Sequence, residues 1–307
     1  MIMKRADQIL THRRMSKSKQ HVSPIKIEKF RHIKSSILFV LTSLFLWTNL
    51  YAQEKLKGNK NVITQNREIT YFDAILVKDN LKVMLTESPV SKVSVETDDN
   101  LQIAVETRVS NNTLEIYLAQ PIARKKKLNI YVGVTDSIQR IEAREQVSIL
   151  GENEIHTNNI ELIAHDNAMI KLNFRTTNFT ATAQNRSNVD CTISASNNIS
   201  ITLEQNAAFK LQTTANKISA SLADSAILKP RGNCQEVEVI ANDNASFRGK
   251  DLLTDYASIQ ATDRTNVYIN ASKEVLINSQ KNATIHLYAN PKISIEKFVD
   301  KSTLHKK

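Results

Sequence analysis

Six positions spaced about twenty residues apart carry the side chains best suited to chemistry in this sequence. They are Asp166, Asn185, Gln205, Asp224, Asp243 and Asp263, with Lys281 breaking the series. A column of oxygens suits a hard cation such as Ca2+, and Asp224, Asp243 and Asp263 are its densest part. The same carboxylates are the candidate acids of a carbohydrate-active enzyme, a polysaccharide lyase or hydrolase. Turn chemistry accounts for them more simply, because Asp and Asn tolerate corner dihedrals and bond their own backbone.

Other chemistry is sparse. The sequence contains no Gly-x-Ser-x-Gly elbow, no His-Glu-x-x-His pair and no Gly-rich phosphate loop, so no catalytic residues and no cofactor are expected. His156, His165, His286 and His305 are scattered and read as solvated. No aromatic stripe is expected either, since the sole Trp, Trp47, falls in a leader segment.

The elements that carry the polar column are repeats. With Asn167, Arg186, Asn206, Ser225, Asn244, Arg264 and Asn282 as anchors, successive units are 18 to 20 residues long, a period that marks repeat architectures. The offsets −7, −5, −3, +1, +3 and +5 from the seven anchors define 42 positions, of which 37 are Ala, Val, Ile, Leu, Phe or Cys; the overall apolar share of 41% predicts about 17. Residues beside the anchors are small, such as Ala164 and Ala168, and those further away are large, such as Phe209. A spacing of two is the period of a strand with one buried face and excludes an amphipathic helix. Each unit is then two short strands around a polar corner, and stacking such units buries a continuous core. The sequence predicts a parallel β-solenoid.

The net charge of +10 invites a nucleic-acid reading until the charge is located. Residues 1–52 hold ten Lys or Arg and two acids, which leaves 31 basic and 29 acidic residues for the rest. The imbalance belongs to a targeting segment. A basic stretch ending in Lys29, Arg31 and Lys34 runs into the apolar Ile37 to Trp47 and then Leu50-Tyr51-Ala52, the order of a secretory signal peptide. An uncleaved anchor is the alternative, although the apolar run is short for a membrane span. No Cys follows the run, so a lipoprotein anchor is not expected. Cys191 falls on an inward column and Cys234 does not, so two free thiols are expected.

From Gly58 to Asn66 the residues are polar. Ile69 to Leu118 alternates in hairpin fashion, with turn residues at Asn111-Asn112. Arg124 to Lys127 is a basic run in a solvated loop, with anionic lipid or polysaccharide as a conceivable contact. An imperfect first rung starts near Ile138 around Gln146, and Ile293 and Ile295 give one more strand after Pro291.

The segments Asn66 to Val77, Leu81 to Glu87, Val93 to Leu101 and Thr113 to Ile116 resemble, in order and spacing, the opening of the auto-transporter adhesin head GIN domain family. The resemblance runs from about Val62 to Ile295. That family usually turns its corners with Ser-Gly sequences, whereas this chain has five Gly in all and uses Asp-Asn-Ala triplets. The resemblance implies a right-handed β-helix-like solenoid outside the cytoplasm and no catalytic residues. If it also places the host among the Bacteroidetes, Asp136-Ser137-Ile138 and Asp224-Ser225-Ala226 fit an O-glycosylation pattern of exported proteins, on Ser137 and Ser225.

The expected organisation is therefore an extension and signal peptide at 1–52, a linker at 53–61, a solenoid domain at 62–295 and a basic tail at 296–307. Within the domain, 62–137 is a hairpin-rich β part and 138–290 the rungs, in an all-β fold of about 19–20 residues per rung. The expected function is that of a non-catalytic structural or interaction module in the periplasm, at the outer-membrane surface or outside the cell. Its partner would be a protein or polysaccharide of the envelope or the exterior, with no nucleic acid and no membrane span after signal cleavage.

Overall fold

Alternation with period two puts one side of every strand into the core, and the polar triplets between strands must reverse the chain without breaking that phase. The computed structural model describes residues 55–307, so the expected leader at 1–52 lies outside the described residues. The strands are β1 (Leu56–Lys57), β2 (Val62–Arg67), β3 (Ala74–Val77), β4 (Lys82–Glu87), β5 (Lys92–Asp98), β6 (Val105–Ser110), β7 (Thr113–Leu118), β8 (Ile122–Arg124), β9 (Leu128–Val134) and β10 (Arg140–Ala143). Seven long strands follow: β11 (Ser148–Ala164), β12 (Met169–Ala183), β13 (Asn188–Leu203), β14 (Ala208–Leu222), β15 (Ile227–Ala241), β16 (Ser246–Ala261) and β17 (Asn266–Ser279). The chain closes with β18 (Thr284–Tyr288), β19 (Lys292–Phe298) and β20 (Thr303–Lys306). Together they form a β-solenoid of about nine turns with parallel stacked strands.

Each long strand leaves a corner, runs along one side, bends at the opposite edge and returns to the next corner. We call the side after a corner the leading face and the side before the next corner the returning face. Neighbouring turns pair in parallel, Ile170 against Val189 on the leading face and Phe179 against Ile199 on the returning face. Alternate side chains from both faces meet inside. Phe174, Phe179, Phe209 and Phe247 are fully buried, and the Phe179 ring lies edge-on to Phe209 at 6.4 Å.

Every corner uses the same two-residue device. Both residues of Asp166-Asn167, Gln205-Asn206, Asp243-Asn244 and their counterparts have positive φ, between 50° and 67°. That conformation costs an ordinary residue about 1–2 kcal/mol and favours Asn and Asp. Backbone hydrogen bonds offset it: the Asn244 N–H donates to the Asp263 carbonyl one rung on at 3.0 Å, and the Ala245 N–H closes the turn on Asn242 at 3.1 Å. The opposite edge is held differently. Buried Thr176 and Thr254 donate their hydroxyls to the Asn158 and Gln235 carbonyls of the preceding rung, at 3.0 and 3.2 Å. Cys234 occupies the position paired with Thr254. Both cysteines are free, as expected, and Cys234 is buried as well as Cys191; burial pushes both thiols above their ordinary pKa.

The five departures from the apolar columns divide into two kinds. Ser187, Thr265 and Ser279 are buried hydroxyls without a hydrogen-bond partner among the described residues. Pro230 and Gly249 stand on adjacent rungs and mark an irregularity. Pro230 has no N–H to give the ladder, and the pairing of β15 with β16 jumps from Leu228–Phe247 to Arg231–Asp251. A Cβ on Gly249 would lie 2.3 Å from the Phe247 ring, so glycine is required there by its neighbour's volume. Register slips again beside Gly249 between β16 and β17.

The N-terminal part contains the expected hairpins and one feature the period concealed. β6 and β7 form a hairpin about Asn111-Asn112, and β5 pairs antiparallel with β2 and β9. The expectation that the first rung starts near Ile138 needs correction, because β3 and β4 already make one. Their corner, Asp79-Asn80, has φ of 67° and 50°. Ile75, Val77, Leu81, Val83 and Leu85 are all buried at the repeat offsets. β3 pairs in parallel with β10, and β4 with the start of β11. At the other end β19 pairs with β17, and β20 with β18. The segment around Gly58 is tied down as well: β1 pairs with β8, and buried Asp98 accepts hydrogen bonds from the Lys60 and Lys126 backbone N–H groups.

Candidate binding groove

Because strands alternate, the residues four past each anchor point outward from the leading face and stack in one column. From rung to rung that column reads Lys171, Asp190, Lys210, Lys229, Arg248, Tyr268, His286 and His305. Its last three members are a stack of rings. Tyr268 lies 4.3 Å from His286 with planes 12° apart, and His286 lies 5.1 Å from His305 at 16°. Burial, followed by the charges of His305 and Lys307, holds the His286 pKa below the ordinary imidazole value.

The middle of the column borders a groove of about 860 Å³ at the irregularity around Pro230 and Gly249. Lys210, Lys229, Arg231, Arg248 and Lys250 line it, with Tyr268 and Tyr288 towards one end. Asp190, Asp251 and Gln212 add hydrogen-bond acceptors. All five cations are exposed, and among the described residues none forms an ion pair. An exposed cation without a partner keeps its charge available, and five on one concave surface favour an anion electrostatically.

Two expectations are thereby corrected. Aromatic side chains do stand on the outer surface, because Tyr268 and Tyr288 line the groove. The histidines are not uniformly isolated. His286 and His305 belong to the ring stack, while His156 Nδ1 lies 2.7 Å from Glu87 and its Nε2 3.4 Å from Glu154, which in turn faces Arg175 at 3.2 Å. The groove was detectable in the sequence, since its main column sits at a constant offset of +4 from the anchors. The inward offsets reveal the fold and do not report it.

The carboxylates singled out by the sequence lie elsewhere. Asp224 and Asp243 are exposed at corners and Asp263 is half-buried; none of the three lines the groove. Asp263 accepts a hydrogen bond from Thr262 at 3.1 Å and faces Lys281 at 3.4 Å, while Asp166 accepts one from Asn185 at 2.8 Å. Among the described residues no group of three or more His, Cys, Asp or Glu is arranged to hold a metal ion. Ser225 is exposed at its corner, with its N–H bonded to the Asp243 carbonyl at 2.9 Å. Ser137 is half-buried and bonded to the Thr135 hydroxyl at 2.7 Å. The basic run is partly neutralised, since Lys127 pairs with Glu96 at 2.7 Å. No helix among the described residues is long and apolar enough to cross a membrane.

A family model described as "Putative auto-transporter adhesin, head GIN domain" matches residues 71–195 and 182–291. The fold is similar to that of a "putative adhesin" from Parabacteroides merdae, with a TM-score of 0.62 and 11% identity over 83% of this chain and 99% of that one. It is similar as well to a "putative lipid binding protein" from Parabacteroides distasonis, with a TM-score of 0.61 and 17% identity over 83% and 100% of the two chains. A "putative adhesin" from the same species has a TM-score of 0.56 at 15% identity, again over 83% and 100%. No curated protein matches the sequence.

Proposed function

The chain belongs to the head GIN domain family of auto-transporter adhesins, and on that premise we propose that it is an exported, non-catalytic interaction module of the cell envelope. The observation that carries this reading is the groove, where five cations outside ion pairs share a concave surface with two tyrosines. A binding module needs such a surface on a rigid scaffold. An acid–base enzyme instead needs carboxylates that face each other across the reacting bond, roughly 5–9.5 Å apart in glycosidases. The corner column of Asp224, Asp243 and Asp263 stands outside the groove, and the two carboxylates that line it, Asp190 on β13 and Asp251 on β16, are three rungs apart, about 14 Å along the axis.

Export rests on the order of basic, apolar and small residues before Gln53. In this reading 1–52 is removed, and the functional domain reaches beyond the expected 62–295, since β1 in the expected linker pairs with β8 and β20 in the expected tail pairs with β18. The partner is a protein or polysaccharide of the envelope or the cell exterior. Ser225, exposed at a corner, is the better of the two glycosylation candidates, since a sugar there would not disturb the core. Asp224→Ala should abolish a glycan mass on its peptide while leaving folding intact.

Fractionation of native cells followed by intact-mass measurement tests the proposal. The expected result is a chain starting at Gln53, in the envelope or medium, that retains envelope material on a column. A cytoplasmic chain with its leader intact, or incubation with envelope polysaccharide that releases new reducing or unsaturated ends, would overturn it.

A further inference from the structure

Beyond a general interaction role, and resting on it, the geometry points to a binding site for an acidic polysaccharide on the leading face. The ligand is a linear chain of sugars bearing carboxylates. It lies along the solenoid axis across Lys210, Lys229 and Arg248 and ends against the Tyr268 ring.

The ladder spacing sets the ligand's form. Lys210 and Lys229 are register partners, and Lys229 and Arg248 each directly follow the paired Leu228 and Phe247. Adjacent strands are about 4.8 Å apart, so these three cations span about 10 Å. Two residues further along, Gln212 and Arg231 are register partners, and across the slipped register Arg231 is the strand partner of Asp251, while Lys250 lines the same groove beside them. Like charges at that spacing repel one another, and a ligand whose negative charges follow the axis relieves the repulsion along its length. A small anion would meet only part of the array.

Chemistry narrows the class. Asp190 and Asp251 share the groove with the cations; they accept hydrogen bonds from hydroxyl groups and repel a densely charged ligand. A nucleic acid carries a phosphate every ~3.4 Å along a strand and uses free ring faces to stack its bases. Here His286 is covered by Tyr268 on one side and by His305 on the other. That leaves the Tyr268 face towards Arg248, with Tyr288 beside it at the same end of the groove, enough to end a sugar chain but not to stack successive bases along the cation row. A membrane surface would require projecting apolar side chains, but the groove's Leu211 and Pro230 are buried. A cleft of about 860 Å³ is the size of a small-ligand site, whereas a stable protein interface needs about 800 Å² from each partner. A hydroxyl-rich chain with sparse carboxylates satisfies donors, acceptors and ring together.

Titration calorimetry of the exported full chain with a galacturonate oligomer decides the matter. Neutral galactose oligomer, an oligodeoxynucleotide of equal charge and anionic phospholipid vesicles serve as comparison arms. The expected result is binding to the galacturonate oligomer that weakens with added salt and is absent for the neutral oligomer. The combined K210Q/K229Q/R248Q variant should lose about tenfold or more in affinity, and Tyr268→Ala should lose several-fold. Lys217→Gln on the returning face should bind as the parent does. All these side chains project outward, and melting curves check that each variant is folded. Tighter binding of the oligodeoxynucleotide or the vesicles, unchanged affinity in the triple variant, or no galacturonate binding by the parent chain would each overturn the proposal. If the parent retains envelope material yet ignores galacturonate, the ligand class is wrong and the interaction module stands; retention of neither sinks both.

Discussion

The leading and returning faces are built from the same rungs and share one core, yet they present opposite solutions to surface charge. On the returning face Lys217 sits between Glu236 and Glu238, at 2.9 and 3.5 Å. Lys292 meets Glu274 at 3.1 Å, and Arg140 pairs with Glu142 at 2.6 Å. Between these pairs the surface is largely hydroxyl, as at Thr180, Ser200, Ser219 and Ser258. On the leading face Lys210, Lys229 and Arg248 rise in succession without an acidic partner. A scaffold that needed only solubility could pair both faces. The difference shows where charge serves the fold and where it is left available to something else.

The largest expected effect tests what the faces share. Phe209→Asp on the leading face and Ile218→Asp on the returning face each put a charge into the dry core, and both positions are fully buried. Each should cost several kcal/mol and abolish the cooperative melt. Lys210→Leu, next to Phe209 and exposed, should fold normally. A folded Phe209→Asp beside an unfolded Lys210→Leu would invert the assignment of inside and outside.

The corners that join the faces come next. Asn244 has φ of 63°, where a β-branched side chain is strained, so Asn244→Val should lower stability by about 1–2 kcal/mol in denaturant titration. Asn244→Gly should be near neutral. Equal losses from both would show that the Asn side chain, rather than its backbone, holds the corner.

Much of this architecture is legible in the sequence because core packing repeats with the backbone. The apolar columns, the polar corners, the free thiols and the strand at Ile293 all follow from offsets. The rung at Asp79-Asn80 escaped because β5 to β9 intervene before the next corner at Glu145-Gln146, so the right offsets occur at the wrong period. Pro230 and Gly249 are two separate departures from an apolar column in the sequence, and only the slipped register beside them gives the two residues a shared consequence. The groove was harder to read for another reason: its main column keeps the +4 offset, but nothing makes the residue types there repeat, and they change from Lys and Arg to Tyr and His partway along.

Charge substitutions on the two faces should have smaller effects of different sign. Glu236→Gln removes a partner of Lys217 and should destabilise by about 0.2–1 kcal/mol, as exposed pairs do. Lys229→Gln has no pair to lose and relieves repulsion, so its melting temperature should equal or exceed that of the parent. Added salt should narrow the gap between the two variants. Destabilisation by Lys229→Gln would place an unrecognised partner in the groove.

The smallest expected effect is a pH dependence at the ring stack. The His286 pKa lies below its unfolded value of about 6.5, so the unfolded chain takes up the proton first. The contribution is complete above that value and is lost as pH falls through it towards the folded pKa. Melting curves of the parent should therefore decline more steeply through mildly acidic pH than those of His286→Gln. Parallel curves would remove His286 from the account.

Hydrogen–deuterium exchange of the full chain, with and without the galacturonate oligomer, tests most directly the claim that one face of this solenoid is its binding surface. The account predicts added protection in the leading-face segments of β14, β15 and β16 and at the start of β17, with the returning-face halves of the same strands unchanged. Protection confined to the returning face, or none anywhere at saturating oligomer, would contradict it.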